Sequence, residues 1–361
     1  MKLPRITILA TLLLATPAAA QLQITPPAAT PPPAAEKPKP KPTPPPAKKK
    51  EAAPAPKPSA SPKPTASPKP ALPATVIPAP EPDTPGVDLV FGAYQRGQYK
   101  TAFDLAKTRA ANGDPKAMTM LGELYSNAMG IRRDYAKALE WYKRASEAGD
   151  REAMFALAML RMSGRGGPVD KGEAVKLMAS AAKLGEPKAA YNLALLYLDG
   201  QTLPQDVKRA AELLRQASDA GLPEAQYALA TFYKEGTGVP KDPAMAARLL
   251  QAASLADNVD AEVEYAIALF NGTGTPKNQP AAVALLRKAA RQGSAIAQNR
   301  LAWVLINGMG TSVDKVEGFK WHLVAKTSGK GDPELDKQFS DLPAEDRSKA
   351  EAGAKKWLGT K

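Results

Sequence analysis

The segment "PEAQYALATFYKEGTGVPKDPAMAARLLQAASLAD", residues 223–257, decides the fold because its pattern returns along the chain. Its third residue, Ala225, belongs to a row of alanines that are each 36 residues apart. The row consists of Ala117, Ala153, Ala189, Ala225, Ala261 and Ala297. A constant interval kept over six units is typical of a tandem repeat array, in which each unit buries its apolar face against its neighbours.

Within one unit the spacing predicts a helix, a loop and a second helix. Leu229 and Tyr233 follow the alanine at plus four and plus eight, which is one face of an α-helix. Pro223 suits the first turn of that helix, where a missing N–H is harmless. Asp242 suits the start of the second helix, because its carboxylate accepts hydrogen bonds from unpaired backbone N–H groups.

The loop glycines look at first like a phosphate-binding loop. "EGTGVPKD" at residues 235–242 and "NGTGTPKN" at 271–278 each have two glycines followed by a lysine. A phosphate-binding loop follows a strand, whereas these loops follow a predicted helix. We therefore interpret the glycines as turn residues between two helices.

The unit at 223–257, together with "PKAAYNLALLYLDGQTLPQDVKRAAELLRQASDAG" at 187–221, resembles the Sel-one-like repeat (SLR), a relative of the tetratricopeptide repeat. The resemblance covers about residues 87–332 and implies an all-α fold, a right-handed α-solenoid of about seven helix-turn-helix repeats. Full repeats start near residues 115, 151, 187, 223, 259 and 295. A degenerate first pair at 90–113 and helices within 333–361 are expected to cap the two ends.

The N-terminus predicts export. Residues 1–20 combine Lys2 and Arg5 with a short apolar run and closing small residues, which is typical of a signal peptide cleaved between Ala20 and Gln21. We expect a periplasmic protein of a Gram-negative bacterium. The chain has no cysteine, which excludes disulfides, thiolate metal sites and cysteine nucleophiles.

Residues 21–86 are rich in proline, lysine and alanine and nearly free of large apolar side chains, which predicts a disordered, extended linker. Its lysines contribute to the formal charge of +13, so this charge is poor evidence for nucleic acid binding, and no nucleic acid partner is expected. The linker is a spacer, or alternatively an envelope tether that engages peptidoglycan or anionic lipid weakly.

Residues for catalysis are sparse. His322 is the only histidine and stands in a repeat position otherwise filled by Tyr142, Met178, Leu214, Leu250 and Leu286, so we expect it to pack rather than to react. No pair of acids stands out for acid–base chemistry. The sequence predicts no enzyme, cofactor or metal site.

The resemblance implies that the first helices line an inner groove, with positions six and nine after each anchor alanine facing a protein or peptide partner. These positions include Met159, Met162, Leu195, Leu198, Ile267, Phe270, Trp303 and Ile306. Two interpretations remain open: a partner covers these side chains, or tight winding of the superhelix buries them against one another. Similar proteins act as adaptors or as periplasmic regulators that hold a sensor kinase inactive, so the resemblance implies a non-enzymatic scaffold that regulates envelope signalling.

Overall fold

The computed structural model describes residues 88–359; the predicted signal peptide, its cleavage site and the linker lie outside the described residues. Within 88–359 the chain forms sixteen α-helices and no β-strand. They are α1 (Leu89–Gln95), α2 (Tyr99–Ala111), α3 (Pro115–Asn127), α4 (Tyr135–Glu147), α5 (Arg151–Ser163), α6 (Lys171–Lys183), α7 (Pro187–Asp199), α8 (Val207–Asp219), α9 (Pro223–Glu235), α10 (Pro243–Leu255), α11 (Val259–Asn271), α12 (Gln279–Arg291), α13 (Ala295–Asn307), α14 (Lys315–Thr327), α15 (Pro333–Ser340) and α16 (Ala344–Gly359).

The helices pack mainly in the order in which they follow one another along the chain. Each helix from α1 to α14 packs against the next, and α14 also packs against α16. The odd-numbered helices from α3 to α13 are the predicted first helices, and the even-numbered helices from α4 to α14 are the second helices. This arrangement confirms the predicted α-solenoid of helical hairpins.

Each hairpin is fixed by the residues at its turn. Every second helix from α4 to α14 begins after an aspartate or asparagine whose side chain accepts from the helix N-terminus; Asp242, for example, accepts from the Met245 N–H at 2.9 Å. Every first helix from α5 to α13 ends on a glycine in the left-handed conformation, such as Gly236 with φ 81°. The next loop glycine, Gly238, lies against the preceding hairpin, where a Cβ would be 2.8 Å from the Val207 carbonyl oxygen.

The interior is built from small residues where helices meet closely. All six anchor alanines are buried, and Ala225 is 0% exposed. The hairpin formed by α3 and α4 differs from the others. Gly122 stands five residues after the anchor alanine, where the other units have alanine, and the ring of Tyr142 fills the space that the missing methyl group leaves. In the last hairpin Gly318 does the same for Ile306, whose Cγ1 lies 2.6 Å from where a Cβ would stand.

The C-terminal helices close the solenoid. Trp357 of α16 packs edge-on against Trp321 of α14, with ring centroids 5.1 Å apart, and the Lys320 ammonium lies 4.5 Å from the Trp321 centroid. Helix α15 joins α14 through Asp336, whose Oδ1 is 2.9 Å from His322 Nε2 and 2.7 Å from Lys326 Nζ. In the described part of the chain, α15 and α16 therefore cover the C-terminal end of the core.

The turn at Asp257 departs from the repeat pattern. Asp257 stands where other units have glycine, and its φ of 59° is unusual for a residue with a side chain. Lys288 Nζ contacts the Asp257 carboxylate at 2.6 Å and the fully buried Glu262 carboxylate at 2.7 Å. The ion pair therefore holds this turn and neutralises a buried acid.

Candidate functional site

The candidate site is the face of the first helices formed by positions two, six and nine after the anchor alanine. These positions are spaced i, i+4 and i+7, so they share one side of each helix. In α5 they are Phe155, Met159 and Met162, all partly buried. We call the surface that α5, α7, α9, α11 and α13 form with these positions the first-helix face.

The predicted groove residues on this face are not equally accessible. Six of them remain partly exposed: Met159, Met162, Leu195, Ile267, Phe270 and Trp303. Leu198 and Ile306 are buried, with 8% and 5% of their surface exposed. Ile306 is drawn inward by the space that Gly318 leaves on α14, and Leu198 belongs to the same core cluster as Phe232. The accessible part of the face therefore consists of six of the eight residues.

A row of aromatic side chains completes the face. Phe155, Tyr191 and Tyr227 occupy position two in three successive hairpins, and each is partly buried. Within residues 88–359 neither tyrosine hydroxyl has a hydrogen-bond partner, while burial raises the pKa of both phenols. This row was not among the residues predicted from the sequence, although the i, i+4 spacing from position two to position six is a signal that indicates a shared helix side.

Carboxylates surround the aromatic row in its C-terminal half. After burial, the largest influences that raise the pKa of Tyr227 are the nearby Glu264, Asp260 and Glu235. Glu264 is paired with Lys234 at 2.8 Å. The first-helix face thus combines apolar and aromatic side chains with a margin of negative charge.

Polar contacts hold the C-terminal end of the face. The Trp303 indole N–H donates to Asp332 at 2.9 Å, which orients the ring. Arg300, one turn before Trp303, is half-buried, and this burial lowers its pKa. The hydrogen bond between Trp303 and Asp332 ties the face to the turn that precedes α15.

A cavity of about 220 Å³ lies at the N-terminal end, between α1, α2, α3 and α5. Its charged groups are already engaged: Arg109 pairs with Asp88 at 2.9 Å, and Lys116 pairs with Asp150 at 3.0 Å. The Tyr94 hydroxyl donates to Glu123 at 2.7 Å. The charged groups around the cavity are therefore engaged in ion pairs and hydrogen bonds, and these contacts join α1 to the first full hairpin.

His322, the only histidine of the chain, is 0% exposed. Its Nε2 contacts Asp336, and its Nδ1 is buried without a hydrogen-bond partner in the described structure. Among residues 88–359, no group of three or more histidine, aspartate or glutamate side chains is placed to hold a metal ion. In the same part of the chain, no helix is long and apolar enough to cross a bilayer.

The sequence profile of the Sel1 repeat matches residues 115–150, 151–186, 187–222, 223–258, 259–294 and 295–329. A search of curated proteins found none that matches.

Among solved structures, the chain is similar to a protective antigen of uropathogenic Escherichia coli that displays an SLR fold, with 27% identity and a TM-score of 0.63. That match covers 72% of this chain and 56% of the antigen, so the chain spans little more than half of that protein. It is also similar to a Sel1 repeat protein from Oxalobacter formigenes, with 25% identity and a TM-score of 0.56, covering 65% of this chain and 94% of the other. Six matched repeats, with this helical architecture, show that the chain belongs to the Sel1 repeat family.

Proposed function

We propose that this chain is a non-enzymatic scaffold that binds a partner protein or peptide through the first-helix face. Proteins built from Sel1 and tetratricopeptide-like repeats generally mediate protein–protein interactions and are typically non-catalytic. The observation that carries the proposal for this chain is the set of six apolar side chains on that face, on both sides of Thr231 and Lys234 of α9, all of which keep part of their surface in contact with water.

The partial exposure favours a partner over complete burial by the winding of the solenoid. In the adjacent core, residues such as Leu157 and Leu193 are 2% and 4% exposed, so the hairpins are able to bury leucines where they need to. Met159 and Met162 offer flexible, polarizable side chains that adapt to an incoming surface. The free hydroxyls of Tyr191 and Tyr227 offer hydrogen bonds beside apolar rings, a combination common in protein interfaces.

The export of the chain is part of the proposal. The sequence of residues 1–20 supports secretion through the Sec pathway to the periplasm, with cleavage between Ala20 and Gln21. There the scaffold would regulate an envelope signalling system by holding one of its proteins. Alkaline phosphatase fused after residue 86 tests the location: high activity in intact cells is expected, and an inactive fusion would contradict export.

Site-specific photo-crosslinking in intact cells tests the binding face. A photoreactive residue replaces Met159 or Ile267, and matched controls carry it at Ala179 or Gln251, which are exposed on second helices. We expect one partner, identified by mass spectrometry, to be crosslinked from the first-helix positions and not from the controls. Crosslinks that are equal at all four positions, or absent at Met159 and Ile267, would refute the proposal.

Substitution distinguishes a binding residue from a packing residue. Met162→Ser and Phe270→Ser should abolish capture of the crosslinked partner and leave the melting temperature nearly unchanged. A fall of several degrees with each variant would show instead that these side chains form part of the core. Deleting residues 22–86 separates the tether alternative, because envelope attachment through the linker would disappear whereas partner capture by the repeats would persist.

A further inference from the structure

The second helices carry a different surface from the first helices. Helices α10 and α12 contain no aspartate or glutamate and four cationic residues, Arg248, Arg287, Lys288 and Arg291. Lys288 is engaged by Asp257 and Glu262. Within residues 88–359, none of the three arginines has an acidic partner within 4.0 Å. The outer side of these two helices is therefore positively charged and unpaired.

The unpaired charges point away from the core. In α10 the residues Ala246, Leu250 and Ala253 are buried, while Arg248 and Leu255 lie on the opposite side of the helix and are spaced i, i+7. In the next hairpin Arg291 stands at the place equivalent to Leu255 and Arg287 at the place equivalent to Gln251, and Arg291 Nε donates to the Arg287 carbonyl at 3.1 Å. We call Arg248, Leu255, Arg287 and Arg291 the outer patch.

Leu255 is the unexpected member of this patch. It is 80% exposed, the highest value among the large apolar side chains of the described chain. Burying a leucine side chain lowers the free energy of the system, yet Leu255 is exposed at the end of a second helix, on the same side of α10 as Arg248. Arginines and an exposed leucine on one side of the hairpins would together bind a surface that has both negative charge and an apolar layer.

We propose that the outer patch docks onto an anionic lipid bilayer. Guanidinium groups bind phosphate oxygens in a bidentate manner, and a bilayer rich in anionic lipid attracts each basic residue near its surface. Leu255 enters the boundary between headgroups and acyl chains. A soluble polyanion would use the arginines but has no apolar layer to receive the leucine. This interaction is independent of the first-helix face, so the scaffold is able to hold a protein partner while it lies on a membrane.

Vesicle co-sedimentation tests the docking. Residues 88–361 are used, because this piece contains all sixteen described helices and lacks the apolar N-terminal run and the lysine-rich linker. A helical circular dichroism spectrum with one cooperative melting transition shows first that the piece folds on its own. The probes are vesicles of phosphatidylcholine alone and vesicles with one third phosphatidylglycerol. We expect binding only to the second kind.

Two variants and one control separate the contributions. R248Q/R287Q/R291Q should bind about a hundredfold more weakly, and L255S about tenfold more weakly. The matched control K171Q/K176Q/K183Q removes three exposed cations from the second helix α6 and should bind nearly as the unmodified chain does. Circular dichroism checks that each variant is folded.

The outcomes that overturn the proposal are equally specific. An equal loss in the patch variant and the α6 control would mean that only overall charge matters. Unchanged binding by L255S would mean that no side chain enters the bilayer and that the patch suits a soluble polyanion. Heparin binding that is weakened by R248Q/R287Q/R291Q, together with vesicle binding that L255S leaves unchanged, identifies that case. Equal binding to the two kinds of vesicle would show that anionic lipid is not required, which contradicts the proposal.

Discussion

Gly122→Ala should destabilise the protein, although the same change in the interior of an ordinary helix stabilises it by about 0.5–1 kcal/mol. A Cβ at Gly122 would lie 2.6 Å from both Cδ1 and Cε1 of Tyr142 and 2.9 Å from its Cγ. The ring is only 6% exposed, and its hydroxyl lies 3.4 Å from Ser126 Oγ, so it has little room to move. Overpacking of this kind costs about 1–3 kcal/mol. After the gain in helix propensity, we expect a net loss of about 1–2 kcal/mol.

The other hairpins supply the compensating change. Where unit one has Gly122 and Tyr142, the third full unit has Ala194 with Leu214. Tyr142→Leu alone should cost about 2 kcal/mol, because it leaves a cavity beside the glycine. Gly122→Ala/Tyr142→Leu should regain most of both losses, since the alanine methyl fills that cavity.

Urea denaturation of residues 88–361, followed by circular dichroism, measures the four free energies of unfolding. An unchanged dependence on urea shows that the variants unfold in the same way. The reasoning is refuted if Gly122→Ala raises the midpoint, or if the double variant shows only the sum of the two single effects.

Three further changes test other contacts. Lys288→Met should cost about 2 kcal/mol, because it leaves the buried Glu262 carboxylate unpaired. Adding Glu262→Gln should restore the loss, because Gln226 and Gln298 occupy the equivalent positions and donate to carbonyls of the preceding helix. A double variant that is no more stable than Lys288→Met in urea denaturation would contradict this account. Trp357→Ala should cost about 3 kcal/mol by removing the ring that covers Trp321, whereas Leu358→Ala on the same helix, where the leucine is 42% exposed, should have little effect on the melting temperature. Hydrogen bonds from Lys326 and His322 hold the pKa of Asp336 below its usual range, so its contribution to stability is complete above the ordinary carboxyl pKa and is lost as the pH falls through the lowered value. The stability difference from Asp336→Asn should therefore shrink as the pH falls from about 5 to below about 4, and a difference that is as large at pH 3 as at pH 5 would refute the role of the carboxylate.

The hairpins could be predicted from the sequence because every determinant is local. The spacing from Ala225 to Leu229 defines a helix face, and Asp242 caps the next helix within three residues of its own position. The burial of His322 followed from its apolar repeat position. Its contact with Asp336 did not, because α15 lies outside the repeating pattern and no other unit has an equivalent helix.

The accessibility of the first-helix face could not be predicted in the same way. Positions six and nine look alike in sequence, yet Met162 is partly exposed and Ile306 is buried. The difference depends on how closely two helices approach, which Gly318 changes in the last hairpin alone. The angle between successive hairpins is a sum of many such contacts, and no single residue encodes it.

Because each hairpin contacts little beyond its sequence neighbours, the gene for this protein is expected to tolerate duplication or loss of whole units. Removing 36 codons from the middle would join two hairpins whose facing surfaces already match, and the two closing ends would be untouched. Removing 35 would rotate every later side chain by about a hundred degrees around its helix. Length is thus free to evolve in steps of one unit, and the extent of the first-helix face evolves with it.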